Sequence, residues 1–301
     1  SALESKRHKT VLIEADEVLP DKLRNNRIDI AFNIAEGLNG RGREAQVPAM
    51  LRFFGIPHPG SDETALCIAL DKALTKRLVS SYKIRTPKSI LLSSNTAIAA
   101  GSLLYPVIIK PNAEGSSKGI SDVSIVKNKN ELCELVKRNF NLYKQDMLAE
   151  EYIDGREFTV GILGNGNEAK VFPPMEIIYK KETQEQYHVY SYNVKQNYKE
   201  YIDYKCPADI TEEQQIEMMK ISGKIFNILG CLDFARVDFR MSREGRVYFI
   251  EINPLPGLAP GYSDYPMLAE FCGVTYTDLI NSILEAALKR LSAIDRGDIA
   301  L

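Results

Sequence analysis

The chain has 301 residues, 45% of them hydrophobic, which suits a globular protein of two or three subdomains with an ample core. Its 38 basic and 40 acidic side chains leave a net charge of −2, so there is no general electrostatic case for nucleic acid or an acidic membrane as partner. No apolar run reaches the length of a membrane span and no secretory signal is visible, and five scattered cysteines, odd in number, fit a reducing cytoplasm.

Ser1 to His8 reads as the last turns of a helix, and a start in mid-helix carries the expectation that an N-terminal strand and loop are absent. Thr10 to Ile13 and Ile28 to Asn33 read as buried strands with a helix over Leu19 to Asn25 between them, a βαβ rhythm that predicts a parallel sheet. Ala35 to Glu44 follows, rich in glycine and charge, at the strand end where such sheets place ligands, although a plain surface loop has the same composition. Helices are predicted over Gln46 to Phe54 and, after a turn at Gly55 to Ser61, over Glu63 to Ser81. On the second, Lys72 and Lys76 are four apart and share a face, the usual pattern of solvated lysines.

Ile108 to Pro111 is a strand ending on Lys110, and the loop Asn112 to Ile120 carries Ser116 and Ser117. Its backbone N–H groups and hydroxyls suit phosphate, though a flexible hairpin tip fits equally and the spacing is not that of a P-loop. Leu148 to Ile153 and Phe158 to Leu163 read as strands, with Glu150, Glu151 and Glu157 as candidates for an adenine edge and a ribose. Tyr179 to Tyr204 is polar and tyrosine-rich without clear periodicity, which reads as a lid. An amphipathic helix spans Ile210 to Leu229, starting after Thr211 with Glu213 or Gln214 placed for a capping interaction. Helices around Tyr265 to Phe271 and Thr277 to Ala293 close the chain.

The chemistry concentrates on a predicted hairpin, Phe234 to Met241 and Val247 to Asn253, joined by a turn over Arg243 to Arg246. Arg236 and Asp238 are two apart and share a face, as are Glu251 and Asn253, so the hairpin can gather two carboxylates, an amide oxygen and a guanidinium. Hard oxygen ligands without His or Cys suit magnesium, which is held by few protein groups plus nucleotide phosphates. Arg236 is suited instead to anionic oxygen. Pro254 to Gly257 ends the strand and frees the Gly257 amide to face a ligand. His8, His58 and His188 lie far apart, and Cys67, Cys133, Cys206, Cys231 and Cys272 read as reduced, mostly buried thiols without zinc spacing.

The ordered set resembles the D-alanine–D-alanine ligases of the ATP-grasp superfamily. It comprises Gly55-Ile56-Pro57 with Gly60-Ser61, Asp71-Lys72 with Lys76, Lys110-Pro111 with Glu114 to Ser117, Glu150 with Gly155 to Val160, Cys206-Pro207-Ala208, and Arg236 to Gly257. The resemblance implies an α/β protein of α+β subdomains. A truncated N-terminal parallel α/β substrate domain would span 1–65, a central ATP-grasp subdomain 66–158, and a C-terminal ATP-grasp subdomain with the metal site 159–301. It implies an ATP-dependent ligase acting through an acyl phosphate, with ATP and two magnesium ions (manganese as a substitute), amino-acid substrates and a homodimer. Carried over, Lys72, Lys110 and Lys195 would meet the ATP phosphates with Ser116 and Ser117, while Glu150, Tyr152, Ile153 and Glu157 would hold the adenosine. Asp238, Glu251 and Asn253 would bind magnesium, and Arg236, Ser116, Lys195 and the Gly257 amide would serve the chemical step.

The sequence departs from the family pattern where amino acids are recognised. Gln196 follows the lid lysine in place of a tyrosine, the second loop carries Glu36-Gly37 and Gly42-Arg43-Glu44, and Tyr262-Ser263 stands for a serine–leucine pair. The family's N-terminal glutamate also has no counterpart. Glu36, Gln196, Tyr262 and Ser263 are therefore the candidate substrate contacts. Three functions stay open on the sequence: a D-alanine dipeptide ligase, the same chemistry on other amino acids or amines, and a nucleotide-binding protein without ligase activity.

Overall fold

The computed structural model describes residues 2–93, 103–114, 124–180 and 197–296, so Ser116, Ser117, Lys195, Gln196 and most of the expected lid lie outside the described residues. The first helix, α1 (Leu19–Asn25), matches its predicted span and carries Pro20 in its first turn, where a missing N–H is harmless. It packs on α2 (Gln46–Phe53) through Leu19, Leu23, Val47 and Leu51.

The expected N-terminal parallel sheet does not appear among the described residues. Residues 10–13 and 28–33 join no ladder, Leu12 is 99% exposed, and Ala31 N donates to Pro57 O instead. A short apolar run favours extended backbone, but it does not specify a lateral partner, and a strand is defined by that partner.

The single helix expected over 63–81 is two, α3 (Glu63–Leu70) and α4 (Lys72–Ser81). Asp71 adopts extended backbone between them and accepts from Leu74 N at 3.0 Å, so an N-cap replaces helix continuity. Next come β1 (Ser89–Leu92), β2 (Val107–Pro111), β3 (Ile125–Val126), α5 (Lys129–Tyr143) and β4 (Met147–Glu151). The four strands form an antiparallel sheet in the order β1-β4-β2-β3, against which α5 buries Leu132, Leu135 and Val136.

The second sheet uses β5 (Gly155–Leu163), β6 (Lys170–Val171), β7 (Met175–Tyr179), β8 (Ile202–Lys205), β9 (Phe234–Ser242) and β10 (Val247–Asn253). It runs β10-β9-β5-β7-β8, with β6 on β5, and every pairing is antiparallel. The expected divisions at 65/66 and 158/159 fall inside α3 and β5, and the change of sheet comes at residues 152–154. Gly155 opens β5 at φ +148°, where an added Cβ would lie 2.0 Å from Met241 O.

Among the described residues four further helices follow: α6 (Tyr198–Tyr201), α7 (Glu212–Ile228), α8 (Asp264–Phe271) and α9 (Tyr276–Asp295). Thr211 and Gln214 form the capping box of α7, which settles the choice left between Glu213 and Gln214. One face of the second sheet is apolar, with Phe158, Val160, Val237, Phe239, Phe249 and Ile252 buried under α7 and parts of α3 and α4. The other face changes character along β9. Phe234 lies in the apolar cluster with Tyr265 and Leu268 of α8, while Arg236, Asp238 and Arg240 continue the same row.

Candidate active site

The predicted hairpin forms, with Arg236 opposite Asn253 and Asp238 opposite Glu251. The two pairs share a face because of a bulge between Phe249 and Glu251, where two residues of β10 oppose one of β9. Uninterrupted alternation from Val247 and Phe249 would turn Glu251 into the apolar core and Ile252 out. The bulge resets the parity so that Ile252 is buried and Glu251 reaches the site.

Asp238 is 18% exposed and Arg236 grips it in fork geometry, Nε to Oδ1 at 3.0 Å and Nη2 to Oδ2 at 2.9 Å. Thr159 Oγ1 donates to Oδ1 at 2.7 Å and Asn253 Nδ2 to Oδ2 at 3.1 Å. Behind the arginine, Asp264 Oδ2 stands 3.4 Å from Nη1, and Asp264 Oδ1 accepts from Tyr204 OH at 2.8 Å. Burial alone would weaken the Arg236 charge, but Asp238 and Asp264 outweigh it and hold the guanidinium firmly protonated.

Two lysines reach in from other elements. Lys72 opens α4, only 7% exposed; its Nζ donates to Glu114 O at 2.6 Å and stands 3.5 Å from Glu251 Oε2. Burial would raise the Glu251 carboxyl, yet Lys72, Lys110 and Arg236 together hold it at about 2. Lys110, at the end of β2, lies 3.2 Å from Glu150 Oε1, and Lys76 stands 2.6 Å from Glu150 Oε2, all three buried. The lysine pair first read as a solvated face is therefore internal, because α4 lies across the sheet edge at β10.

A small, open cleft is lined by Glu44, Lys72, Glu114, Glu251, Asn253 and Pro254. Burial, against the pull of Arg43, pushes the Glu44 carboxyl up to about 7. Arg43 donates to Ala113 O at 2.8 Å and stands 3.4 Å from Glu114 Oε2, so the loop before α2 braces the segment that supports Lys72. Glu36 is exposed nearby and adds to the repulsion felt by Glu44.

Three of the four residues expected at the adenosine, Tyr152, Ile153 and Glu157, are gathered by Arg240, which the sequence alone did not single out, while Glu150 is held by Lys76 and Lys110. The Arg240 guanidinium donates to Ile153 O (2.8 Å), Glu157 Oε2 (3.0 Å) and Tyr152 OH (3.1 Å), and lies 4.8 Å from the Tyr152 ring centre. The signal was present: Arg240 continues the two-residue period of Arg236 and Asp238. Burial raises the Glu157 carboxyl despite Arg240 and Tyr179 OH, the latter at 2.9 Å. Asp264 and Tyr204 were likewise unforeseen.

Gly257 is exposed at the end of the hairpin, and a Cβ there would meet Ser263 Oγ at 2.7 Å. Ser263 is buried and its hydroxyl accepts from Ala259 N at 3.2 Å, while Tyr262 is half-buried beside it. The described thiols are unbridged, with Cys231 buried, Cys67 exposed and the other three half-buried, so they are less buried than expected. Cys206 and Cys272 approach to 3.8 Å.

Among the described residues no three His, Cys, Asp or Glu side chains converge as a metal cage. Two carboxylates and an amide beside buried lysines fit a hard divalent cation that takes its remaining ligands from phosphate oxygen. No described helix is long and apolar enough to cross a membrane.

Residues 80–285 match the sequence family described as D-ala D-ala ligase C-terminus. A D-alanine–D-alanine ligase of Aquifex aeolicus is 35% identical over 291 residues, covering 94% of this chain and 91% of that protein. The crystal structure of D-alanine–D-alanine ligase from Bacillus anthracis complexed with ATP is similar with TM-score 0.74 at 26% identity, over 90% of this chain and 82% of that one. The VanG D-Ala:D-Ser ligase from Enterococcus faecalis gives TM-score 0.71 at 27% identity, over 87% and 74%.

Proposed function

This chain belongs to the D-alanine–D-alanine ligase family of ATP-grasp enzymes, and from that premise we propose that it joins two D-alanine molecules using ATP. ATP supplies the activation: the first carboxylate accepts a phosphoryl group, and the amine of the second substrate displaces phosphate from the acyl phosphate as the peptide bond forms. The observation that carries this reading is the cross-strand quartet of Arg236, Asp238, Glu251 and Asn253, with Lys72 against Glu251.

In this reading Asp238, Glu251 and the Asn253 amide oxygen hold magnesium (two ions, with manganese as a substitute), which when bound offsets phosphate charge. Lys72 and Lys110 meet phosphate from α4 and β2, joined by Ser116, Ser117 and Lys195. Glu150, Tyr152, Ile153 and Glu157 hold the adenosine, and the Arg240 contacts that order three of them support that role. Arg236 and the Gly257 amide face the reacting carbonyl and stabilise the charge of the tetrahedral intermediate. Glu36, Gln196 and Tyr262 border the amino-acid sites. Ser263 borders them too: its hydroxyl accepts from Ala259 N and keeps its proton to donate to a substrate carboxylate. A cytoplasmic homodimer completes the reading, supported by the unbridged thiols for the compartment and by the family likeness for the assembly.

The test is phosphate release from Mg-ATP across D- and L-amino acids, singly and in pairs. Release driven by D-alanine with a D-Ala–D-Ala product is the expected result. Stimulation by a different pair assigns the same chemistry to other substrates, a reading favoured by the Tyr262-Ser263 departure. ATP binding without stimulation by any pair overturns the ligase assignment.

A further inference from the structure

Asp238 has no acceptor capacity left. An ionised carboxylate offers about four lone-pair sites. Here Arg236 Nε and Thr159 Oγ1 occupy Oδ1, while Arg236 Nη2 and Asn253 Nδ2 occupy Oδ2. A cation can bind Asp238 only if one donor withdraws. Thr159 is held by its own strand, β5, directly opposite Asp238, and is 1% exposed. Arg236 has somewhere else to go, because Asp264 Oδ2 already stands 3.4 Å from Nη1, just beyond a close ion pair. Asp264 is 1% exposed and opens α8, so its charge is fixed among protein groups, and Tyr204 OH orients its other oxygen at 2.8 Å.

We propose that Asp264 is a positioning residue for Arg236: when a divalent cation claims Asp238, the guanidinium tightens on Asp264, which frees Asp238 and keeps the arginine at the reacting centre. The proposal rests on the metal reading given above. Tyr204 sits on β8, whose neighbour α6 is tied to the loop before α8 by a Tyr198 OH bond to Gly261 O at 2.7 Å. The strand that follows residues 181–196 is thereby linked to the arginine.

The experiment is Mn²⁺ titration of the full chain saturated with ADP, with free ion counted by electron paramagnetic resonance and the Mn–ADP background subtracted. Wild type, Asp264→Asn, Tyr204→Phe and Asp238→Asn are compared. Asp264→Asn leaves Arg236 committed to Asp238, so Mn²⁺ affinity falls about tenfold, as expected for one charge-assisted contact. Tyr204→Phe gives a smaller fall of about twofold to threefold by loosening Asp264. Unchanged affinity in Asp264→Asn, with binding lost in Asp238→Asn, overturns the proposal and leaves the metal site standing; the Asn253 amide would then be the donor that withdraws. Unchanged affinity in Asp238→Asn overturns the metal reading, and the proposal with it. If Asp264→Asn fails to fold, as judged by its thermal melt, Tyr204→Phe decides: wild-type affinity there overturns the proposal.

Discussion

Replacing Lys76 by methionine separates two accounts of the buried charges beneath the site. The Lys76 ammonium is 3% exposed, 2.6 Å from Glu150 Oε2 and 2.9 Å from Thr86 Oγ1. Burial lowers it, Glu150 raises it, and the neighbouring Lys110 ammonium lowers it again, leaving it at about 8 against 10.5 in a free chain. Between pH 8 and 10.5 the unfolded chain therefore binds a proton that the folded chain does not, and stability rises with pH. Below that window both states are charged and the fold carries the full penalty, 2.5 pH units or about 3 kcal/mol. Lys76→Met removes the penalty but strips a partner from Glu150 and Thr86, a loss of about 1–3 kcal/mol. At neutral pH the variant should thus lie within about 2 kcal/mol of wild type, not the roughly 3–5 kcal/mol below it that breaking a buried pair would give. The decisive quantity is the slope, since methionine in place of Lys76 has no proton to lose. Urea unfolding followed by far-UV circular dichroism should show wild type gaining about 3 kcal/mol on the variant from about pH 7.5 to 10.5. A difference that stays flat across this range refutes the reasoning.

Glu251→Ala removes one of the two carboxylates opposed across the hairpin, and Mg-dependent phosphate release should fall at least about 100-fold; unchanged turnover would sink the metal assignment. Gly257→Ala sets a Cβ 2.7 Å from Ser263 Oγ, so either that hydroxyl rotates and gives up its bond from Ala259 N or the segment carrying Gly257 moves. We expect kcat to drop about tenfold or more while stability falls by about 1–3 kcal/mol, and a variant with wild-type kcat would remove the Gly257 amide from the chemistry. Thr211→Ala breaks the α7 capping box and should cost about 1 kcal/mol in urea unfolding with phosphate release unaltered. A matching loss of turnover would show that α7 reaches the site.

The elements that could be read from sequence are those whose signals are local. The spans of α1 and α7 follow from Pro20 and Thr211 at their starts, and the hairpin follows from alternation and its turn. The quartet was legible because two-residue spacing fixes a face. The bulge went unread although the doublet Phe249-Ile250 interrupts the alternation, and without it the same pattern places Glu251 in the core. Asp71 looked like one polar residue of a long helix because capping competes with continuity through tertiary contacts, here Asn112 and Arg41 at 2.8 Å. Residues 10–13 and 28–33 failed as strands because pairing is a property of neighbours that a single segment does not encode. Asp264 was invisible for the same reason: its partners Arg236 and Tyr204 are 28 and 60 residues away.

The two sheets divide the labour of the site in the order of synthesis. Lys72 and Lys110 belong to the first part of the chain, and Glu251, 3.5 Å from Lys72, arrives only with β10. Lys110 meets its acidic partner Glu150 within the first sheet, whereas Lys72 meets Glu251 only across the two parts of the chain. The Lys72–Glu251 contact therefore forms only when the late hairpin closes on α4, which makes it a marker of the completed fold.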